Sequence, residues 1–291
     1  MFVSAVIVTC NRLELLKENL AAVRGQTRVP DEIIVINNGS TDGTAEWLKI
    51  QTGLTVIQQE NLGSSGGQYA GIKAAFEHGH EWFWCMDDDT IPAPDALEML
   101  LASAHASELE TGFLCSAVFW TDGTLHRMNM TASTMPASTN DPRWLQGVQT
   151  DESSFVSVLF RREAVQACGL PLREMFIWCD DKEFTLRIAK KFKGWIIPTS
   201  RVVHKTKRNV GVGLEEIGDA SVDKFRYGLR NMVFMQMRRV TTHHFYNVRG
   251  AIRLILRTTP ALFRQCSFKN ALILFRSMIA GLFFNPPVRF P

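Results

Sequence analysis

The order of apolar runs in the first 86 residues constrains this 291-residue chain more than any other feature. Residues 3–8 form a nearly continuous apolar run that ends at Thr9-Cys10-Asn11-Arg12. Leu13, Leu16, Leu20 and Val23 then recur at helical spacing. Residues 33–36 repeat the pattern, ending in the turn-rich stretch Asn37-Asn38-Gly39-Ser40-Thr41-Asp42-Gly43-Thr44, which opens a second helix. Residues 55–58 read as a third strand, followed by Asn61-Leu62-Gly63-Ser64-Ser65-Gly66-Gly67 and a helix to about residue 78. Residues 82–86 are the fourth strand. This alternation predicts an α/β fold, a mainly parallel sheet flanked by helices. Ligands of such sheets collect beyond the carboxyl ends of the strands, where each of these polar loops lies.

The fourth run, Trp82-Phe83-Trp84-Cys85-Met86, leads straight into Asp87-Asp88-Asp89, and Ile91-Pro92-Ala93-Pro94 is expected to stop the segment. Three adjacent carboxylates repel one another, and a hard divalent ion with oxygen ligands is their natural partner. A solvated acidic turn is the plainer alternative. Further on, the pattern predicts a helix over 95–107, a strand over 113–120 and a long aperiodic loop over 121–150. A strand at 155–160, a helix at 162–168, a helix from Asp180 through Lys191 and a strand at 195–198 follow.

Each polar constellation carries a functional and a bland reading. Gly63, Gly66 and Gly67 offer backbone that a ligand can approach closely, next to a helix N-terminus suited to a phosphate or polar sugar; the bland reading is a flexible turn. Asn37, Asn38 and Asp42 supply acceptors for a nucleoside, or an Asx-turn with Asp42 or Thr41 as helix cap. Asp180 and Glu183 have the form of a capping box, which would leave Asp181 free to take a proton from an attacking hydroxyl. Trp178, just before, could stack on a sugar face. His204 is either a satisfied structural histidine or a further metal ligand, and its nitrogen would favour manganese over magnesium or calcium.

Charge is divided along the chain. Residues 1–223 hold 20 Lys/Arg against 29 Asp/Glu, whereas residues 224–291 hold 12 Lys/Arg and no acid. Arg249, Arg253 and Arg257 alternate with apolar blocks, and no uncharged run is long enough to span a bilayer, which needs roughly 20 apolar residues. Residues 224–291 therefore read as a basic, mostly helical extension lying on an anionic membrane surface, in preference to nucleic acid or an oligomer interface. The six scattered cysteines read as reduced thiols of a cytoplasmic protein, and the N-terminus as a first strand and not a signal peptide. The sequons at Asn38 and Asn129 carry no meaning for an unexported chain.

Taken together, Val6-Ile7-Val8-Thr9-Cys10-Asn11-Arg12, Ile36-Asn37-Asn38-Gly39-Ser40-Thr41-Asp42-Gly43-Thr44, the triple aspartate, Asp180-Asp181 and His204 resemble the family 2 glycosyltransferases of the GT-A, Rossmann-like fold over about residues 3–205. Asn61–Gly67, the triple aspartate and the segment from Trp178 to Arg187 look most like the galactofuranosyltransferases, with rhamnosyltransferases as neighbours. The resemblance implies inverting transfer from a UDP-sugar. Asp87 would bind the nucleotide ribose, and Asp89 and His204, with Asp87 alongside, would hold Mn2+ or Mg2+ on the diphosphate. Asp181 would be the general base, with Asp180 contacting acceptor or donor. Thr9, Asn11, Arg12, Asn61 and Asp88 fall in the implied nucleotide-sugar pocket. Many relatives carry Asp where this chain has Asn37.

The expected organisation is a catalytic domain over 1–215 and a membrane-associating helical extension over 216–291. The expected acceptor is a lipid-linked or cell-surface glycan at the inner face of the cytoplasmic membrane. Transfer from dTDP-rhamnose or a UDP-pyranose, and a catalytically silent sugar-nucleotide-binding scaffold, are the competing expectations.

Overall fold

The computed structural model describes residues 1–130, 146–211, 216–238 and 248–291. Four strands, β1 (Val3–Thr9), β2 (Glu32–Asn38), β3 (Thr55–Gln59) and β4 (Trp82–Asp87), form a parallel half-sheet in the order β3-β2-β1-β4. Between them run α1 (Leu13–Arg24), α2 (Thr44–Lys49) and α3 (Gly63–Glu77). All seven residues of β1 are buried, as a central strand covered on both faces requires. The register sets Thr9 opposite Asn37 and Val8 opposite Asp87, so the first, second and acidic loops leave the sheet along one edge.

The sheet continues through β8 (Val158–Arg161), β6 (Thr111–Phe119), β9 (Lys193–His204) and β5 (Thr90–Pro92), with short β7 (Val148–Thr150) also on β9. β6 and β9 are parallel to each other; β8, β5 and β7 join antiparallel to their neighbours. α4 (Ala96–Ala102), α5 (Arg162–Cys168) and α6 (Asp180–Ala189) complete this body.

Several expected boundaries move. The prolines after the acids do not end the strand: a turn at Asp88 and Asp89 leads into β5, an edge strand where Pro92 is tolerated. The helix expected over 95–107 breaks at Ser103, whose extended backbone separates α4 from a 3-10 turn. Within the expected loop 121–150, residues 148–150 are a strand on β9, and residues 131–145 lie outside the described residues. The strand expected from 155 starts only at Val158, because Ser157 sits in the left-handed region (φ 61°).

α7 (Val222–Met237), α8 (Val248–Gln265) and α9 (Phe268–Phe283) pack around an apolar cluster of their own that includes Phe225, Leu229, Val233, Ile255, Leu262, Leu274 and Met278. α7 joins it to the sheet body through Phe234, which packs with Leu172 and Met175. On α8, Ala251, Ile255, Thr258 and Leu262 face inward, while Val248, Ile252, Leu256 and Phe263 are exposed beside the exposed Arg249, Arg253, Arg257 and Arg264. Among the described residues no helix is long and apolar enough to cross a membrane.

Candidate active site

Strand pairing brings the third aspartate and the late histidine together. β5 runs antiparallel to β9 with Thr90 opposite His204, and the backbone N–H of Lys205 donates to Asp89 O (2.9 Å). His204 Nε2 consequently lies 3.2 Å from Asp89 Oδ1, both side chains being buried. His204 Nδ1 meets Asn129 Oδ1 at 2.8 Å, a contact that orients the ring with Nε2 towards Asp89. His126, its ring 4.6 Å from that of His204, is pushed down to about 4 by burial and by His204, and adds no charge at neutral pH.

Two other contacts close this corner. Arg12 Nη1 pairs with Asp89 Oδ2 and lies 3.4 Å from Asp88 Oδ1. Thr9 Oγ1 donates to Asp88 Oδ2 (2.8 Å). Burial raises the Asp89 carboxyl, but His204 and Arg12 outweigh it and hold the group down at about 2. Burial lifts Asp88 to about 6 against the pull of Arg12. The donor set fits a divalent ion. Asp89 Oδ1 is buried with no aligned hydrogen bond, His204 Nε2 faces it, and Arg12 already places a positive charge on the same carboxylates.

Asp87 is the link to the second acidic pair. Its Oδ1 lies 3.5 Å from Gln68 Nε2, and its carboxyl is raised well above the usual range by burial, then by Asp89, Asp88 and Asp180. Asp180 and Asp181 form the first turn of α6, whose N-cap is Cys179. The expected capping box is absent: Glu183 pairs with Arg187 (2.9 Å), and Asp180 Oδ2 is buried without a hydrogen-bond partner. Burial and the neighbouring Asp181 raise Asp180 strongly. Asp181 is half-buried and accepts the Lys182 N–H (2.7 Å). Burial lifts it to about 6 against that hydrogen bond and the Lys182 charge.

The segment entering α6 is held in an unusual shape. Phe176, Trp178 and Cys179 all have φ near 65°, at a cost of about 1–3 kcal/mol for each non-glycine residue. Such outliers persist only where surroundings over-determine them. Trp178, expected on a sugar face, is packed elsewhere: its ring rests on Gly228, where a Cβ would come within 2.1 Å, and against Phe225 at 5.0 Å.

The remaining predicted binding residues gather at the same edge of the sheet but largely hold one another. Asn37 donates to Gln58 (2.7 Å) and accepts the Ser40 N–H (3.2 Å). Asn38 donates to Gly63 O (3.0 Å) and accepts from Gln59 and the Leu62 N–H. Asn61 accepts the Gly63 N–H (2.9 Å), and Asn11 accepts the Thr41 N–H (2.7 Å). Asp42 accepts from Thr44 in the expected Asx-turn and from Leu13 N (3.1 Å) at the start of α1, but the expected cap of the following helix is absent: α2 has Gly43 as N-cap and neither Asp42 nor Thr41 caps it.

The glycines likewise serve packing. A Cβ on Gly67 would strike Val8, and one on Gly63 would strike the Phe176 carbonyl. That carbonyl also accepts the Ser65 N–H (3.1 Å), so the first turn of α3, read as a phosphate cradle, already spends an amide on the Phe176 loop.

Residues 4–169 match the family model "Glycosyl transferase family 2". The chain belongs to glycosyltransferase family 2. Its curated relatives include galactofuranosyltransferase GlfT1 of Mycolicibacterium smegmatis, 32% identical over 203 residues, and that of Mycobacterium tuberculosis, 30% identical over 203. These alignments cover 65% of this chain and 65% and 64% of the relatives, so the chain spans a little under two thirds of their length.

Solved structures similar to this family 2 chain include GalNAc-T7 with UDP, GalNAc and Mn2+ (TM-score 0.59, 16% identity, covering 94% of this chain and 56% of that one). S. aureus TarS 1–349 gives a TM-score of 0.58 at 15% identity, covering 97% and 81%. The mannosyltransferase PcManGT from Pyrobaculum calidifontis, with GDP-Man and Mn2+, gives 0.53 at 17%, covering 96% and 85%. At these identities the likeness concerns the fold.

Sequence reasoning passed over four residues that shape the candidate site. Asn129 orients His204 from 75 residues away, and the stretch around it reads as an aperiodic loop. Gln68, beside Asp87, sits on a helix face that looks like ordinary packing. Arg230 and Asn231, on α7, bond the Glu174, Met175, Ile177 and Trp178 carbonyls. No motif announces them. A separate cluster of Glu32, His78 and His80 lies at the opposite end of β2, its members hydrogen-bonded to one another.

Proposed function

We propose that this chain is an inverting, metal-dependent glycosyltransferase moving a sugar, best read as galactofuranose from UDP-galactofuranose, to a hydroxyl of a lipid-linked or cell-surface glycan. The observation carrying this reading is the electrostatic chain from Asp89–His204 through Asp87 to Asp180 and Asp181, which sets a cation corner beside a pair of acids with raised pKa values. The galactofuranosyltransferase relatives support the donor sugar.

In this mechanism Asp89 and His204 would hold the divalent ion, with Asp87 alongside. When bound, the ion neutralises charge developing on the leaving diphosphate. Arg12, half-exposed beside Asp88 and Asp89, is placed to turn its guanidinium to the phosphates. Asp181 removes the proton from the acceptor hydroxyl as that oxygen attacks the anomeric carbon from the face opposite UDP, inverting configuration. Asp180, next to it and in the field of Asp87, contacts acceptor or donor. Catalysis then comes from orientation and fixed charge, without a covalent intermediate.

The two-part organisation belongs to the same reading: a catalytic body over 1–215, and a helical part over 216–291 resting on the inner face of the cytoplasmic membrane. The exposed apolar row of α8 beside its arginine row is what supports the membrane. A donor panel with Mn2+ and acceptor (UDP-galactofuranose, UDP-galactose, UDP-GlcNAc, dTDP-rhamnose), read by nucleotide release, tests the function. Release from UDP-galactofuranose above the others is expected. Release from dTDP-rhamnose or UDP-GlcNAc alone would reassign the donor, and release from none would leave a binding scaffold.

A further inference from the structure

We infer that Asn231 is a positioning residue for the acid-bearing loop, which makes α7 part of the catalytic apparatus as well as the start of the basic extension. This rests on Asp180 and Asp181 being the acids of the proposed reaction.

Residues 174–178 form no part of a strand, and their backbone must be held by other means. Each carbonyl is taken. Arg230 Nη2 donates to Glu174 O (2.7 Å) and Met175 O (3.1 Å). Ser65 N donates to Phe176 O. The Asn231 amide lies 2.8, 3.0 and 2.9 Å from Met175 O, Ile177 O and Trp178 O.

Asn231 is fully buried, and its own carbonyl accepts from Arg230 (2.9 Å). Thus one side chain reaches the peptides that follow Met175, Ile177 and Trp178, the last of these being the residue two before Asp180. Gly228, one turn earlier on α7, leaves the space in which the Trp178 ring lies. The three left-handed residues of this segment are therefore pinned from α7 on one side and from α3 on the other. A loop so constrained fixes where the first turn of α6 begins, and with it the direction of the Asp181 carboxylate.

A structural asparagine and a positioning one differ in what their loss moves. In the full chain, Asn231→Asp keeps the shape and removes the N–H donors, Asn231→Ala removes the amide, and Asn231→Gln keeps donors on a longer arm. Ile279→Ala, within the α7–α9 cluster, is the control for general loosening of the helices.

Turnover of Asn231→Asp and Asn231→Ala should fall about 100-fold, the scale of an ångström misplacement. Their UDP affinity should stay within about twofold, because the loss is confined to the reacting geometry. Amide exchange over 174–183 should speed up, and Asn231→Gln should recover at least about tenfold in turnover. Ile279→Ala should lower Tm without this pattern. If Asn231→Ala does not fold, Asn231→Ser carries the same comparison. Unchanged exchange over 174–183 in folded Asn231 variants, or turnover lost only as far as in Ile279→Ala at matched Tm, would overturn the proposal. The exchange measurement needs no donor, so it separates failure here from failure of the transferase reading.

Discussion

Arg12 and Asp89 form an ion pair on the carboxylate that also faces His204, so an internal cation sits on the corner proposed for a divalent ion. Arg12 joins the loop after β1 to the turn after β4, and its pairing with Asp88 and Asp89 offsets the repulsion among three adjacent acids. Removing it should leave those acids under-compensated. Arg12→Ala is expected to lose about 1–3 kcal/mol of stability in EDTA, less than a fully buried pair because half of the arginine side chain is in solvent. Mn2+ should restore more of the Tm in this variant than in wild type, and UDP affinity should fall. Thermal unfolding with EDTA or Mn2+ measures this; equal Tm gains in the two proteins would show that Arg12 does not share the metal's place.

Asn129 orients the His204 ring through a single 2.8 Å contact to Nδ1. Partners of this kind are worth about 10–100-fold in metal affinity. Asn129→Ala should therefore weaken Mn2+ binding by about that factor with Asp89 untouched, while Asn129→Asp, which still accepts from Nδ1, should keep most of it. Calorimetric titration of Mn2+ into each variant is the check. Wild-type affinity in Asn129→Ala would remove His204 orientation from the account.

The outer row of α8 gives a prediction independent of the chemistry. Ile252 and Leu256 are 46% and 69% exposed, with Arg253 and Arg257 beside them. Replacing both apolar side chains with glutamate forfeits about 3 kcal/mol of apolar insertion, on the order of 100-fold in partitioning. Flotation with anionic vesicles should show the variant in the soluble fraction with its Tm unchanged. Co-flotation equal to wild type would rule this face out as the membrane contact.

What could be read from the chain follows from the physics of each part. β1, β2 and β4 are legible because buried parallel strands are written as apolar runs, and β3 by its place in the repeat. The acids and His204 stood out by residue type and by their places after strands. The strand-end asparagines were legible in position but not in partner. Asn37, Asn38 and Asn61 spend their groups on Gln58, Gly63 and Leu62 backbone, and short polar side chains at a turn look alike whether they bind a ligand or a loop. Asp180 was misread as a cap because local spacing cannot show that α6 begins with Cys179 in a left-handed conformation. Which face of α8 turns inward, and the hold of Asn231 on residues 53 to 56 positions away, depend on tertiary partners that no local period encodes.

The central claim is that Asp181 takes the acceptor proton beside a metal held by Asp89 and His204. Asp181 is lifted to about 6, so its base form is lost as pH falls through that value and is fully present above it. The decisive measurement is the pH profile of UDP release from UDP-galactofuranose with Mn2+ and acceptor, for wild type, Asp181→Asn and His204→Ala. Wild-type turnover should drop about tenfold per pH unit below about 6. Asp181→Asn should lose turnover at every pH while still binding the donor, and His204→Ala should need more Mn2+. An Asp181→Asn enzyme that turns over like wild type, with the acid limb unchanged, would contradict the account.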